Sequence, residues 1–560
     1  MNELQIQGTY IKDFFCLRED GLHYNWVSPT TVNPETHIIE IDLSAFLKDT
    51  TFNKDNYAKM LRTKYQGDEA LMMQGMVAEI AFRLASSQNA AIFFNENKKF
   101  SFNGYEFTLY APSGAELRGD RDYEQNIFSV VEEYPFRLLG IRPDLCFFLN
   151  GIFIGYSELK SNLSSQRART NGRNKVVKDF VEGVATYQRQ AGSNDVQRSL
   201  ERRVLFPFGK AIHITTTDIE ETYVVRNLLQ YVSELREAHR LNANNPDTSE
   251  TEKAILNTFK PYPLLRPKSA YTDIGRFEQV MRALYSKESI EKEILYYNFI
   301  EYKFKKDEKG KKVRIAHEGR LITPRPKQKF GTEKIVAKIP EFLRYEGDAE
   351  YFYRKLETRL REDGINEEQI RDAVEKRRKY QNNKNVYSLL LQYAAGFGKS
   401  NIIGWTALQL KDMRDERQAY VYDKIMIVVD RLQLRDQLDS TLHNMNIQKA
   451  MFVEATNRET FKKALKGGPR IVVVNVQKFG QVSDTSKEFL DEESMKLLAQ
   501  MRVCFLIDEV HRTQSGELHE EMLSLFDELQ SAFDNSTTYT TTRTKKNLII
   551  GLTDTPSDNT

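Results

Sequence analysis

The segment Leu389-Leu-Leu-Gln-Tyr-Ala-Ala-Gly-Phe-Gly-Lys-Ser400 joins an apolar run to a helical pattern through two glycines. Residues 386–391 read as a buried strand. Gly396 and Gly398 permit a tight turn, and Lys399 and Ser400 open a helix that continues through Ile402, Ile403, Trp405 and Leu408. Strand, glycine turn and helix in that order aim backbone N–H groups and a helix N-terminus at a phosphate chain. Lys399 would reach the β and γ phosphates of a nucleotide such as ATP, and the Ser400 hydroxyl would ligate its Mg2+. Tyr393 stands where the strict form of this loop has glycine. An ordinary glycine-containing turn would look much the same, so the loop needs a partner motif.

That partner lies downstream. In Val503-Cys-Phe-Leu-Ile-Asp-Glu-Val-His-Arg-Thr-Gln514 a second buried strand ends in two carboxylates. Asp508 would hold Mg2+ through water, and Glu509 would orient and deprotonate the attacking water. Phosphoryl transfer draws most of its rate from such positioning and charge neutralisation. A strand ending in solvated acids is the plain alternative, but the glycine loop upstream and His511 beside the acids argue for an NTP site. Further strands are expected at 425–429, 471–476 and 548–552, separated by helical patterns. This alternation predicts an α/β fold with a parallel sheet, helices on both faces, and ligand at the carboxyl ends of the strands.

A chain of 560 residues is too long for one core, and three or four domains are expected. Net charge is +2, so nucleic-acid contact must come from local basic patches rather than from a global field. Cys16, Cys146 and Cys504 are far apart, and two of them sit in apolar strand patterns, where buried thiols are the natural reading. No apolar run approaches the roughly 20 residues of a membrane span, and no basic-then-apolar leader opens the chain. A cytoplasmic protein without a membrane partner is expected.

The N-terminal third carries a second candidate site. Ile141-Arg-Pro-Asp-Leu-Cys-Phe-Phe-Leu-Asn-Gly-Ile-Phe-Ile-Gly-Tyr-Ser-Glu-Leu-Lys-Ser161 places Asn150-Gly151 between apolar runs, a strong hairpin signal. With an ideal two-residue turn Asp144 would oppose Ser157, leaving Glu158 on the other face. Gly155 inside the second strand suggests a bulge, and one extra residue there brings Asp144 opposite Glu158, with Lys160 on Glu158's face. Two carboxylates and a lysine at one sheet end would bind Mg2+ and activate a water for phosphodiester attack. The bland reading is an edge hairpin with solvated charges. Residues 161–178 carry Arg167, Arg169, Arg173, Lys175 and Lys178 without an acid, which suits DNA phosphates, although a charge run is more often a solvated face. Upstream, Met72, Met76, Ile80 and Leu84 recur at helical spacing, and Glu79 falls on their face. A buried acid there is expected to pair with an arginine or to border a metal site.

Between the two sites, residues 202–235 read as strands at 204–206 and 211–215 and a helix at 223–235, and the polar stretch 242–251 is the best linker candidate. A helical pattern runs over 274–302. Residues 303–314 are dominated by lysine, with Gly310 at the tip of a basic hairpin or loop, and 349–379 read as a charged helical connector. The expected organisation is a nuclease domain over 1–240, a linker and connector over 241–375, and a nucleotide-binding domain over 376–560.

Pro143-Asp144 followed by Glu158-Leu159-Lys160 resembles the PD-(D/E)xK nuclease signature. Val428-Val-Asp-Arg-Leu-Gln-Leu-Arg-Asp-Gln437, Asn475-Val-Gln-Lys-Phe479, Asp508-Glu509 and Gly551-Leu-Thr-Asp-Thr-Pro556 resemble motifs Ia, Ic, II and III of superfamily 2 helicases. Lys379-Tyr380-Gln381 is placed like the glutamine motif, which implies that Gln381 reads adenine. The finer spelling resembles the restriction (motor) subunit of type I restriction–modification enzymes, a family with a PD-(D/E)xK domain N-terminal to its motor. The resemblance runs from about residue 60 to the end of the chain.

It implies an ATP-driven double-stranded DNA translocase that is also a Mg2+-dependent endonuclease, cutting unmodified foreign DNA with methyltransferase and specificity subunits as partners. In that reading Asp144 and Glu158 hold the nuclease metal, and Lys160 polarises the water or steadies the pentavalent phosphate. Gln477, His511, Thr553 and Thr555 couple nucleotide state to DNA. Three departures stand out: Tyr393; Asp554, where the family has glycine; and Gly183, where it has glutamine four residues before the residue matched by Tyr187. The family's second RecA-like domain, with the arginines that stabilise the transferring phosphate, is expected beyond Thr560. The chain is therefore expected to be a fragment or natural truncation that hydrolyses ATP poorly. Another nuclease–helicase fusion, of type III-like or stand-alone defence kind, and a non-catalytic DNA-binding protein with a degenerate ATP fold are the alternatives.

Overall fold

The computed structural model describes residues 12–113, 121–160, 166–191, 194–218, 220–264, 273–306, 312–345, 348–380, 386–415, 417–429, 441–442, 444–445, 452–455, 457–475, 492–508 and 547–553. Gln381, Gln477, Glu509, His511, Asp554 and Thr555 lie outside the described residues. The chain divides into two compact units, Met1–Phe299 with Leu321–Lys327, and Ile300–Arg320 with Gln328–Thr560.

The first unit contains nine strands. They are β1 (Asn25–Val27), β2 (Phe100–Phe102), β3 (Tyr105–Phe107), β4 (Phe128–Glu132), β5 (Leu145–Leu149), β6 (Ile152–Leu159), β7 (His213–Thr217), β8 (Thr222–Val225) and β9 (Lys260–Pro261) among the described residues. Seven of them form a mixed sheet in the order β1-β4-β5-β6-β7-β8-β9, and β2 and β3 pair as a separate hairpin. Every residue of β5, β6, β7 and β8 is buried, which explains why these strands read as continuous apolar or threonine-rich runs without alternation.

Three helices matter for the site. α1 (Glu69–Ser86) is capped by the Asp68 carboxylate, which accepts from Leu71 N at 2.9 Å. α2 (Arg173–Gln190) buries Val176, Val177, Phe180, Val184 and Tyr187, one face of a helix. α3 (Asp273–Tyr285) buries Met281, Leu284 and Tyr285, and the Tyr285 ring stacks on Phe147 of β5 at 4.0 Å.

That packing corrects the expected domain border. Residues 273–299 belong to the first unit's core rather than to a connector, and the polar loop near 242–248 leads into a helix (Ser249–Thr258) whose Ile255 is buried in the same core. The strand expected at 204–206 is helical, at the junction of Asn194–Val204 and Phe206–Lys210. An apolar run of three residues cannot reveal its period. The helix expected over 223–235 begins at Val232, because Thr222–Val225 pairs with β7 instead.

In the second unit β10 (Phe299–Lys306) and β11 (Lys312–Ile322) pair as the arms of the lysine-rich hairpin. α4 (Pro326–Arg344) follows, then the helices Ala349–Glu362 and Glu367–Tyr380, which share a small core of Tyr353, Ile370 and Val374. The main sheet is built from β12 (Val386–Gln392), β13 (Lys424–Val429), β14 (Phe452–Ala455), β15 (Ile471–Asn475), β16 (Val503–Ile507) and β17 (Asn547–Thr553). Its six strands are all parallel, in the order β12-β17-β16-β13-β15-β14. The parallel α/β sheet read from the sequence is present, with β14 as an addition. β12, read from the sequence as a buried strand, lies at the sheet's edge among the described residues, and Leu390 is 47 % exposed. Cys146 and Cys504 are buried free thiols. Among the described residues no helix is long and apolar enough to cross a membrane.

Candidate functional site

The first site is made by the β5–β6 hairpin. Asn150 (φ 50°) and Gly151 (φ 78°) both sit in the left-handed region, as a two-residue hairpin turn requires. A Cβ on Gly151 would lie 2.3 Å from the Ile39 carbonyl oxygen, so glycine is also sterically required. Leu149 faces Ile152 and Phe148 faces Phe153, but Phe147 faces Gly155, leaving Ile154 as the extra residue of a bulge. A Cβ on Gly155 would stand 2.6 Å from the His213 carbonyl oxygen of β7. Beyond the bulge Leu145 faces Ser157, so the next position brings Asp144 opposite Glu158.

The side chains complete the arrangement. Asp144 Oδ2 accepts from Leu159 N at 2.6 Å. Lys160 Nζ lies 3.5 Å from Glu158 Oε2 and donates to the Leu159 carbonyl at 2.6 Å. Burial, and then the charge of Glu158, push the Asp144 carboxyl up to about 7, against the opposing pull of the Leu159 N–H, Lys160 and Lys175. Glu158 and Lys160 are both buried, which is rare for charged groups unless they are paired.

Basic residues of 167–178 have partners within the fold. Arg167 Nη1 bonds Glu220 at 2.8 Å, Lys178 lies 3.6 Å from Glu182, and Arg173 lies over the Tyr223 ring at 4.9 Å and donates to the Arg169 carbonyl. Lys175, expected on DNA, points into the acid pair instead: its Nζ is 2.7 Å from each oxygen of Glu158. Burial drags the Lys175 ammonium down, but the Glu158 charge and hydrogen bonds, helped by Asp144, carry it net upward. Asp179, one turn along α2, is raised by burial.

Glu79 is a correction. Its side chain is 36 % exposed and pairs with Arg83 at 2.7 Å, so the arginine partner is present but the deep burial is not. Gly183 is not at this site: a Cβ there would meet Leu139 and Leu205.

The second site lies at the carboxyl ends of the parallel strands. Tyr393, just past β12, donates its N–H to Thr553 O at 2.9 Å. Gly396 (φ 72°) and Gly398 (φ 87°) take left-handed conformations, and Lys399 opens the helix α5 (Lys399–Asp412), which buries Ile402, Ile403 and Trp405. Ser400 is in its first turn. Asp508 follows β16 and is buried, and its N–H donates to Val428 O at 3.1 Å. Thr553 ends β17, between the loop strand and the Asp508 strand.

Two residues that sequence reasoning missed close over this loop. Gln328 in the first turn of α4 is buried and donates from Nε2 to Phe397 O at 2.5 Å. Gly331, one turn on, is where Tyr393 fits: a Cβ there would lie 1.8 Å from the Tyr393 hydroxyl oxygen. The Tyr393 ring stacks on Phe397 at 4.8 Å. The tyrosine that departs from the strict loop is therefore seated by a glycine on α4. A glutamine near the start of a helix carries no sequence signal that would have singled it out.

Residues 368–556 match the family model described as SWI2/SNF2 ATPase. The chain thus carries a superfamily 2 helicase-like ATPase domain over the parallel sheet and its glycine loop. No curated protein matches the chain.

Proposed function

We propose that this chain is the nuclease-and-motor part of an ATP-dependent DNA restriction enzyme of the type I kind, moving along double-stranded DNA and cutting it. The observation that carries the reading is the bulged register that sets Asp144 against Glu158, with Lys160 at the same sheet end, in a chain that also holds the helicase-like ATPase domain. The expected partners are duplex DNA and the methyltransferase and specificity subunits of the same system.

The donor set at the sheet end fits Mg2+. Asp144, Glu158 and the Leu159 carbonyl are hard oxygen donors, and no cluster of three or more acid, histidine or cysteine side chains is present among the described residues. Mg2+ favours such sites, because it keeps several waters and takes one or two carboxylates. When bound, it supplies charge neutralisation and an activated water. Asp144 and Glu158 hold and orient it. Lys160, kept rigid by burial and by its bond to Leu159 O, is placed to steady negative charge developing on a phosphate. Arg167, Arg169, Arg173 and Lys178 supply backbone contacts at the rim.

In the motor, Lys399 and Ser400 take the phosphates and their Mg2+, Asp508 takes Mg2+ through water, and Glu509 serves as the water base. Gln477, His511, Thr553 and Thr555 couple nucleotide state to DNA. Gln381 reads the adenine, and Gln328, which donates to the loop, is a second candidate for contact with the nucleotide.

The test is Glu158→Ala in the complete enzyme with its partner subunits. ATP hydrolysis should remain and DNA cleavage should be lost. Equal cutting by wild type and variant would remove the nuclease assignment.

A further inference from the structure

The acid pair already holds a cation of its own. Lys175 Nζ bonds both oxygens of Glu158 at 2.7 Å, and the Glu158 side chain is 1 % exposed. The Leu159 carbonyl accepts from Lys160, and Asp144 Oδ2 accepts from Leu159 N. A divalent cation on Glu158 and the ammonium of Lys175 would compete for the same two carboxylate oxygens and repel one another, so each weakens the other's hold.

The two lysines differ in what they can do about this. The Lys160 side chain is 8 % exposed and is tied to the backbone beside it. The Lys175 side chain is 38 % exposed, on the first turn of α2, within a segment that also carries Arg169, Arg173 and Lys178. It has a route outward, toward any phosphate that this segment engages. The wide helical turn at Ala168–Gly172 sets its position. Gly172 packs so closely on β7 that a Cβ would lie 1.8 Å from Thr216 Oγ1, and this seats the start of α2 over the end of β6.

We infer that Lys175 is a positioning residue that occupies the divalent-cation place on Glu158 until a DNA phosphate draws it away, so that cation loading and DNA binding are positively coupled. The inference rests on the nuclease reading of the Asp144–Glu158 pair. Coupling of this kind is reciprocal, since DNA raises cation affinity by the same factor by which the cation raises DNA affinity. Lys175 thereby limits metal binding to the empty enzyme and releases that limit on substrate.

The experiment titrates Mn2+ into the nucleotide-free full chain by calorimetry, with and without a short duplex. Thermal unfolding checks that each variant is folded. In wild type the duplex should tighten Mn2+ binding by a factor in the range of about 5 to 150. In Lys175→Met, Mn2+ should bind without DNA nearly as tightly as wild type does with it, and the duplex should add little. Lys175→Arg should keep the DNA dependence, and Lys175→Gln should behave as the methionine variant. Unchanged DNA-free Mn2+ affinity in both neutral variants, or an undiminished duplex effect, overturns the inference. Glu158→Gln separates this from failure of the underlying reading: if that variant binds Mn2+ as wild type does, the acid pair is not a metal site and the nuclease reading falls, whatever Lys175 does.

Discussion

The acid pair and the glycine loop solve opposite problems with opposite materials. At the end of β5 and β6 the ligand would be a cation, and the groups that face it are buried side chains whose charges the fold has already matched with Lys160 and Lys175. At the end of β12 the ligand is anionic, and the groups that meet its phosphates are chiefly backbone and a helix start, with the Lys399 side chain beside them. At Gly396 that turn is open: among the described residues nothing lies within 4 Å of where a Cβ would be. A side-chain site inside a sheet must be charge-balanced in order to fold, so its ligand enters by exchange. A backbone site needs no such counter-charge, so its ligand enters by addition.

The largest effect that would break this comparison is at the loop. Lys399→Ala should lower ATP hydrolysis by the complete enzyme about 10²–10³-fold or more while leaving Mn2+ binding at the acid pair unchanged. Loss of both would mean that the two sites are not independent. Next is Gly331→Ala, whose methyl group would collide with the Tyr393 hydroxyl. Overpacking of this kind costs about 1–3 kcal/mol, read as a lower midpoint of thermal unfolding. Tyr393→Phe in the same chain should recover much of it, because the nearest remaining ring atom is 3.1 Å from the new Cβ.

The acid pair is sharpened by pH. The Asp144 carboxyl is raised to about 7 from an ordinary 3.8, so between those values it is protonated when folded and ionised when unfolded. The unfolded state then binds fewer protons, and stability falls as pH climbs from about 4 to about 7. A tenfold difference in proton affinity between the two states corresponds to about 1.4 kcal/mol. Asp144→Asn should remove that slope and unfold a few degrees above wild type at pH 8, with the difference vanishing toward pH 4. The measurement is a series of thermal melts across that range. The smallest effect is at the rim. Lys178→Ala breaks an exposed pair and should change stability by less than about 0.5 kcal/mol. It should weaken DNA binding uniformly across sequences and reduce the salt slope by about one.

How far each region could be read in advance follows from how local its determinants are. The bulge was legible because glycine weakens the interior of an apolar strand and belongs there chiefly where the strand bulges or another backbone comes close. Both hold at Gly155, and the bulge alone decided that Asp144 faces Glu158. The parallel sheet was legible because each strand is a short apolar run after a helical pattern. Lys175 was not, since its place depends on how closely Gly172 approaches β7, a contact between distant segments. Gln328 and Gly331 were hidden for the same reason: α4 meets the loop through tertiary packing. α3 joined the first core because an amphipathic helix does not say which core it will cover. Glu79 has the expected arginine partner, and helix geometry explains why it is less buried than its spacing suggests. The buried stripe advances by about 40° with every fourth residue. By Ile80 and Leu84 it has moved on, leaving Glu79 at its edge beside Arg83.

The most direct measurement is anomalous diffraction from crystals of the protein with duplex DNA and saturating Mn2+. The account predicts one manganese peak in contact with both Asp144 and Glu158, with the Lys175 ammonium withdrawn from the carboxylate. A map with no manganese between those two acids, and Lys175 still bonded to Glu158, would contradict it.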